Sequence, residues 1–62
     1  MDVIVIDSDL SDGLRIRLCR IARGLRQFEL AAEAHTTPAL VSMAERNVPI
    51  PPNPLARIRA AL

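Results

Sequence analysis

Gln27-Phe28-Glu29-Leu30-Ala31-Ala32-Glu33-Ala34-His35-Thr36-Thr37-Pro38-Ala39-Leu40-Val41-Ser42-Met43-Ala44-Glu45-Arg46 is the stretch that decides the fold. Residues 27–34 hold good helix formers, with Leu30, Ala31 and Ala34 at the spacing of one helical face. Thr36, Thr37 and Pro38 then break that pattern. The Thr37 hydroxyl can cap a new helix, and Pro38 fits its first position, where no amide donor is needed. Residues 38–46 resume the helical pattern, with Val41 and Ala44 three apart. Two short helices joined by a bend of three or four residues form a helix-turn-helix.

Working outward, Ser11 is the best N-cap for a helix that runs to about Arg23, with Asp12 favourable at its positive end. Gly24 ends it in the C′ position. Along this first helix Leu14, Leu18 and Ile21 form a stripe at i, i+4, i+7, which must be covered by something. On the other side of the central stretch, residues 47–53 read as a proline-stiffened connection that cannot be helical. Asn53 then caps a last helix, with Pro54 at its first position and Leu55, Ile58 and Leu62 on its inner face. Arg57 and Arg59 fall outside that face. The expected architecture is all-α, a small four-helix bundle with a central helix-turn-helix.

The exception is the start of the chain. Residues 2–6, Asp-Val-Ile-Val-Ile, are nearly all β-branched and read as a strand. The rest of the chain offers no second strand, so its backbone donors and acceptors need a partner. A two-stranded ribbon with the same segment of a second copy, across a two-fold axis, is the economical solution. The alternatives are an extended arm packed on its own domain, or a frayed end. The chain therefore divides into an arm, 1–10, and a helix-turn-helix domain, 11–62. Val3, Ile4, Val5 and Ile6, with Leu14, Leu18, Ile21 and the lone aromatic Phe28, form the expected dimer or partner surface.

At 62 residues the chain makes one small domain, and a domain of this size buries only about 60% of its unfolded surface. A single cysteine, Cys19, rules out an internal disulfide, so stability must come from helix packing or from association. There is no apolar run of membrane-spanning length and no signal-peptide pattern, which points to a cytoplasmic protein with no membrane partner. The net charge of +1 hides an asymmetry. Asp2, Asp7, Asp9 and Asp12 precede any basic residue. From Gly13 onward eight arginines face Glu29, Glu33 and Glu45, leaving +5. A basic body suits a polyanion, although the same arginines would also serve as a solvated face. No lysine is present, which fits bidentate phosphate contacts or simply a G·C-rich genome.

The order Ile16-Arg17, Arg20, Arg23-Gly24-Leu25, Gln27, Glu29-Leu30-Ala31, Val41-Ser42, Glu45-Arg46 and Leu55…Ile58…Ala61-Leu62 resembles the Cro/Xre-type (lambda-repressor-like) helix-turn-helix domain of small repressors. The likeness covers about residues 14–62. That family has glycine where this chain has His35, a Ser or Thr cap where it has Arg26, and polar residues at the positions of Leu14, Leu18, Ile21 and Phe28. By position, the resemblance implies that Ile16, Cys19 and Arg23 face inward, with Cys19 as a buried small hydrophobe. It implies that helix 38–46 enters the major groove of double-stranded DNA, with Thr37, Pro38, Ala39, Ser42 and Met43 facing bases. Gln27 would touch a phosphate and brace that helix, and Arg26, Arg46 and Asn47 would make the other backbone contacts.

None of the five base-facing residues is Arg, Lys, Asn or Gln, the usual direct readers. Two functions follow. One is a dimeric transcriptional regulator, repressor-like, on a short palindromic site, with part of its specificity read through DNA shape. The other is a protein-binding module of the same fold, an antiactivator or antitoxin, whose apolar residues Pro38, Ala39, Leu40 and Met43 mask another regulator. An enzyme is not expected. His35 and Cys19 are single, without an evident third partner for a triad. The chain supplies no set of zinc ligands and no glycine-rich phosphate loop, so no cofactor or metal is expected. Glu45 reads as an ion-pair partner within the body, and Glu29 and Glu33 as a solvated face.

Overall fold

In the computed structural model, residues 10–62 are described and form four helices in the order α1 (Asp12–Ala22), α2 (Gln27–Glu33), α3 (Pro38–Glu45) and α4 (Pro52–Ala61). The expected strand of residues 2–6, and any ribbon made from it, lies outside the described residues. α3 is central, packing against α1 on one side and α2 on the other, while α4 closes the bundle mainly against α2. The core is Ile16, Leu30, Ala31, Ala34, Val41, Ala44 and Ile58, with Leu25, Ile50, Leu55, Ala61 and Leu62 packed around it. These are the inner-face positions expected of helices 2, 3 and 4.

Each of the first three helices stops in the same way. Gly24 (φ 71), His35 (φ 54) and Asn47 (φ 62) take the left-handed conformation one residue past the C-cap. In each case the following residue donates back to the third-last helical carbonyl: Leu25 to Arg20 at 3.1 Å, Thr36 to Ala31 at 2.9 Å and Val48 to Met43 at 2.9 Å. The left-handed residue donates to the second-last carbonyl, completing a Schellman motif each time. Only Gly24 adopts this conformation without a Cβ penalty.

The starts are less uniform. The Ser11 Oγ accepts from the Leu14 N–H at 3.1 Å, and the Thr37 Oγ1 from the Leu40 N–H at 3.2 Å. Arg26 has no accepting atom, and instead the Glu29 carboxylate reaches back to the Arg26 N–H at 2.7 Å. Glu29 is therefore a capping residue and not a solvated charge. Gly13, expected in the linker, is the second residue of α1 and touches α3. A Cβ there would lie 2.6 Å from both the Ala44 and the Glu45 carbonyl oxygens. Its N–H donates to the Asn47 Oδ1 at 2.9 Å.

Two expectations are corrected. α4 begins at Pro52, not Pro54, and Asn53 does not cap it. First-turn amides have no intrahelical acceptor, so Pro52 and Pro54 remove no bond, and the Leu55 N–H already donates to the Pro51 carbonyl at 3.3 Å. Cys19, expected inside, is exposed. The buried face of α1 is the side toward α3, where Gly13 and Ile16 lie, and Cys19 falls off its edge. Arg23 is exposed too, but its guanidinium ties three helix ends together, pairing with Glu33 at 3.2 Å and donating to the Ala61 carbonyl. Among the described residues no helix is long and apolar enough to cross a membrane.

Candidate nucleic-acid interface

α3 is presented on a polar brace. The Arg20 guanidinium of α1 grips the Glu45 carboxylate with two contacts, Nε to Oε2 at 2.5 Å and Nη2 to Oε1 at 3.2 Å. Its third nitrogen donates to the Leu25 carbonyl at 2.8 Å, and the Gln27 Nε2 joins Glu45 Oε1 at 3.1 Å. The Arg20 and Glu45 side chains are only 12% and 4% exposed. A largely buried pair with this many satisfied donors fixes the relative placement of α1, the α1–α2 turn, α2 and α3. Glu45 is thus the internal ion-pair partner expected from sequence, and Gln27 does brace α3.

Around this brace lies a shallow cleft of about 180 Å³, lined by Arg17, Arg20, Gln27, Ser42, Glu45 and Arg46. The cleft collects Gln27, Ser42 and Arg46 from the residues expected on DNA, and adds Arg17. Arg17 is exposed and has no ion-pair or hydrogen-bond partner among the described residues. Arg46 is exposed and lies back along α3, its Nε donating to the Ser42 carbonyl at 3.3 Å. Arg26 is exposed at the N-cap of α2, next to Gln27 but outside the cleft wall. Arg17, Arg26 and Arg46 therefore have no acidic partner among the described residues. Four other arginines are taken up internally. Arg20 and Arg23 are described above, Arg59 pairs with Asp12 at 2.9 Å, and Arg57 caps α2 through the Ala34 and His35 carbonyls at 3.0 and 3.4 Å.

Asn47 has a different task from the one the resemblance implies. Its Oδ1 accepts from Gly13 and its Nδ2 donates to the Ser11 Oγ at 3.1 Å, so its side chain staples the C-terminal end of α3 to the start of α1. Only the left-handed propensity of asparagine hints at this. The signal for Arg17 is present in the sequence. It sits one turn before Arg20, on the side of α1 that flanks the buried face.

On α3 itself Thr37, Pro38 and Ala39 are exposed and Ser42 and Met43 half-buried. This surface offers hydroxyls and short apolar groups, with cations at its edge rather than on its face. The expected partner surface is uncovered among the described residues, with Leu14, Leu18, Ile21 and Phe28 exposed by 38, 46, 51 and 56%.

These features define a class: a small four-helix domain that displays one short helix, held by a buried ion pair and flanked by arginines without acidic partners among the described residues. Comparison with protein-family models, with curated proteins and with solved structures gave no match for the chain.

Proposed function

We propose that the protein is a small helix-turn-helix transcriptional regulator of the Cro/Xre type, which lays α3 into the major groove of double-stranded DNA. The carrying observation is the sorting of its arginines. Those that hold the fold are paired or capping, while Arg17 and Arg46 stand without acidic partners among the described residues in one cleft beside α3, with Gln27 between the helices. That is an arrangement suited to two or three phosphates, since guanidinium forks bind phosphate oxygens bidentately and position a protein without reading sequence.

In this reading Thr37 and Ser42 offer hydroxyls to base edges, and Pro38, Ala39 and Met43 offer contact to thymine methyls. Such contacts discriminate weakly, so DNA shape carries part of the specificity. The protein acts as a homodimer on a palindromic site, joined through the exposed Leu14, Leu18 and Ile21 face of α1 together with Phe28. Exposed apolar patches of this kind mark association surfaces. Substituting Arg17 and Arg46 by alanine tests the site. Both changes weaken binding to every duplex about equally and make the salt dependence shallower, by a slope of about one for each phosphate no longer neutralised. Unaltered binding in both variants rejects it.

The second reading, a protein-binding module of the same fold, is favoured by one observation. No long hydrogen-bonding side chain stands among the five outward residues of α3. Its probe is Met43→Ala, which hardly affects a DNA complex and strongly weakens an apolar protein contact.

A further inference from the structure

Beyond the α3 surface, the described residues leave one large opening. Between α1 and α4 runs a groove of about 550 Å³ lined by Asp12, Arg15, Ile16, Cys19, Arg59 and Leu62. Its floor is apolar, made by the edge of Ile16, the exposed Cys19 and the half-buried Leu62. Its rim is basic on balance, with Arg15 on one side and Arg59, paired with Asp12, on the other. We infer that the groove is the seat of residues 3–6 of the same chain, with the aspartates of residues 7 and 9 passing along the rim.

Three observations commit the groove to this occupant. The first is chemical complementarity. Val3, Ile4, Val5 and Ile6 are an apolar run bracketed by Asp2, Asp7 and Asp9, without a basic side chain in the first fourteen residues. Apolar floor and basic rim match apolar run and acidic flanks. The second is reach. From Ser11 to Cys19 the α1 axis advances by roughly 12 Å at 1.5 Å per residue. The four residues 7–10, extended at about 3.3 Å each, cover roughly 13 Å, which brings residues 5 and 6 level with Cys19. The third is direction. The backbone bends at Leu10, just before the Ser11 cap of α1, as a chain must to run back along the helix it enters. The inference does not depend on DNA binding. It replaces the ribbon between subunits expected from sequence with an arm held in cis.

The single native thiol makes a direct test. In an extended run, successive side chains point to opposite faces, so Val5→Cys and Ile6→Cys, each made in the full-length chain, sample both faces. A disulfide requires the two Cα atoms to approach within about 7 Å. Under mild oxidation one of the two variants forms a bond to Cys19 within one chain, identified by peptide mapping, faster than a control cysteine placed at Ala39. Failure of both to exceed that control overturns the inference. Bonds formed only between chains also overturn it, in favour of exchange between subunits. A second readout uses the full-length double variant Val5→Asn/Ile6→Asn. Removing the cover raises the reaction rate of Cys19 with a thiol reagent about tenfold, and an unchanged rate counts against the seat.

Discussion

The Arg20 guanidinium and the Glu45 carboxylate meet in a two-point contact, at 2.5 and 3.2 Å, across the α1–α3 interface, with the Glu45 side chain only 4% exposed. This contact joins the helix that carries Arg17 to the helix that carries Ser42 and leads into Arg46. It also takes in Gln27 of α2. Stability and presentation of α3 thus depend on the same residues.

Removing one partner strands the other. Glu45→Ala leaves Arg20 without its carboxylate and is expected to destabilise by roughly 3 kcal/mol, as breaking a buried pair does. Replacing both, Arg20→Met with Glu45→Leu, restores most of that stability, because the desolvation penalty disappears with the charges. Urea unfolding followed by circular dichroism measures both. A double variant as unstable as the single one contradicts this account of the pair.

Gly13 and Gly24 are predicted to respond to alanine for different reasons. At Gly13 alanine is the better helix former, yet the new Cβ meets two backbone carbonyls at 2.6 Å. α1 must shift, at a cost of about 2 kcal/mol or more, in the range of overpacking. At Gly24 nothing lies within 4 Å of the added carbon, and only the left-handed backbone resists, at about 1 kcal/mol. Thermal melts of the two variants should rank Gly13→Ala as the less stable.

His35 and Asn47 share the left-handed conformation but differ in what their side chains do. His35→Gly relieves backbone strain and stabilises by about 0.5–1 kcal/mol. Asn47→Gly gains the same relief but gives up the bonds to Gly13 and Ser11. Each such bond contributes about 1 kcal/mol, so the net effect is destabilising. Equal stabilisation by both would mean that the Asn47 staple contributes nothing.

The helix pattern is legible in the sequence because its signals are local. Ser11, Gly24 and the Thr37-Pro38 pair mark ends by hydrogen-bonding capacity and backbone preference, and the structure uses each in that way. The start of α4 is misread by two residues because three prolines in four positions look like a connection, although a first turn tolerates them. Cys19 is misread because its burial depends on which neighbour covers α1, a non-local property. α1 turns its inner face to α3 and leaves Cys19 toward the α1–α4 groove. Within the candidate site, sequence position alone brings Gln27, Ser42 and Arg46 together. Arg17 and the structural role of Asn47 emerge only once eight chemically identical arginines and two asparagines have been given partners or left without them.

The uncovered stripe on α1 carries the assembly. Leu18→Asp or Ile21→Glu places a charge in the centre of the proposed contact and is expected to convert the dimer to a monomer, with little effect on stability because both positions are exposed in the single chain. Sedimentation velocity of the parent and the variants measures this. A parent that is already monomeric at high micromolar concentration removes the dimer.

The central claim is that this domain binds DNA, and a titration against duplexes tests it most directly. The full-length protein is titrated with the DNA immediately upstream of its own coding sequence and with an unrelated duplex, each at low and at physiological salt. The account predicts binding to both that weakens steeply with salt, with log K falling by about 0.9 per phosphate neutralised, and a preference for the upstream sequence. A well-folded protein that binds neither duplex at low salt contradicts it, and makes α3 a surface for a protein partner.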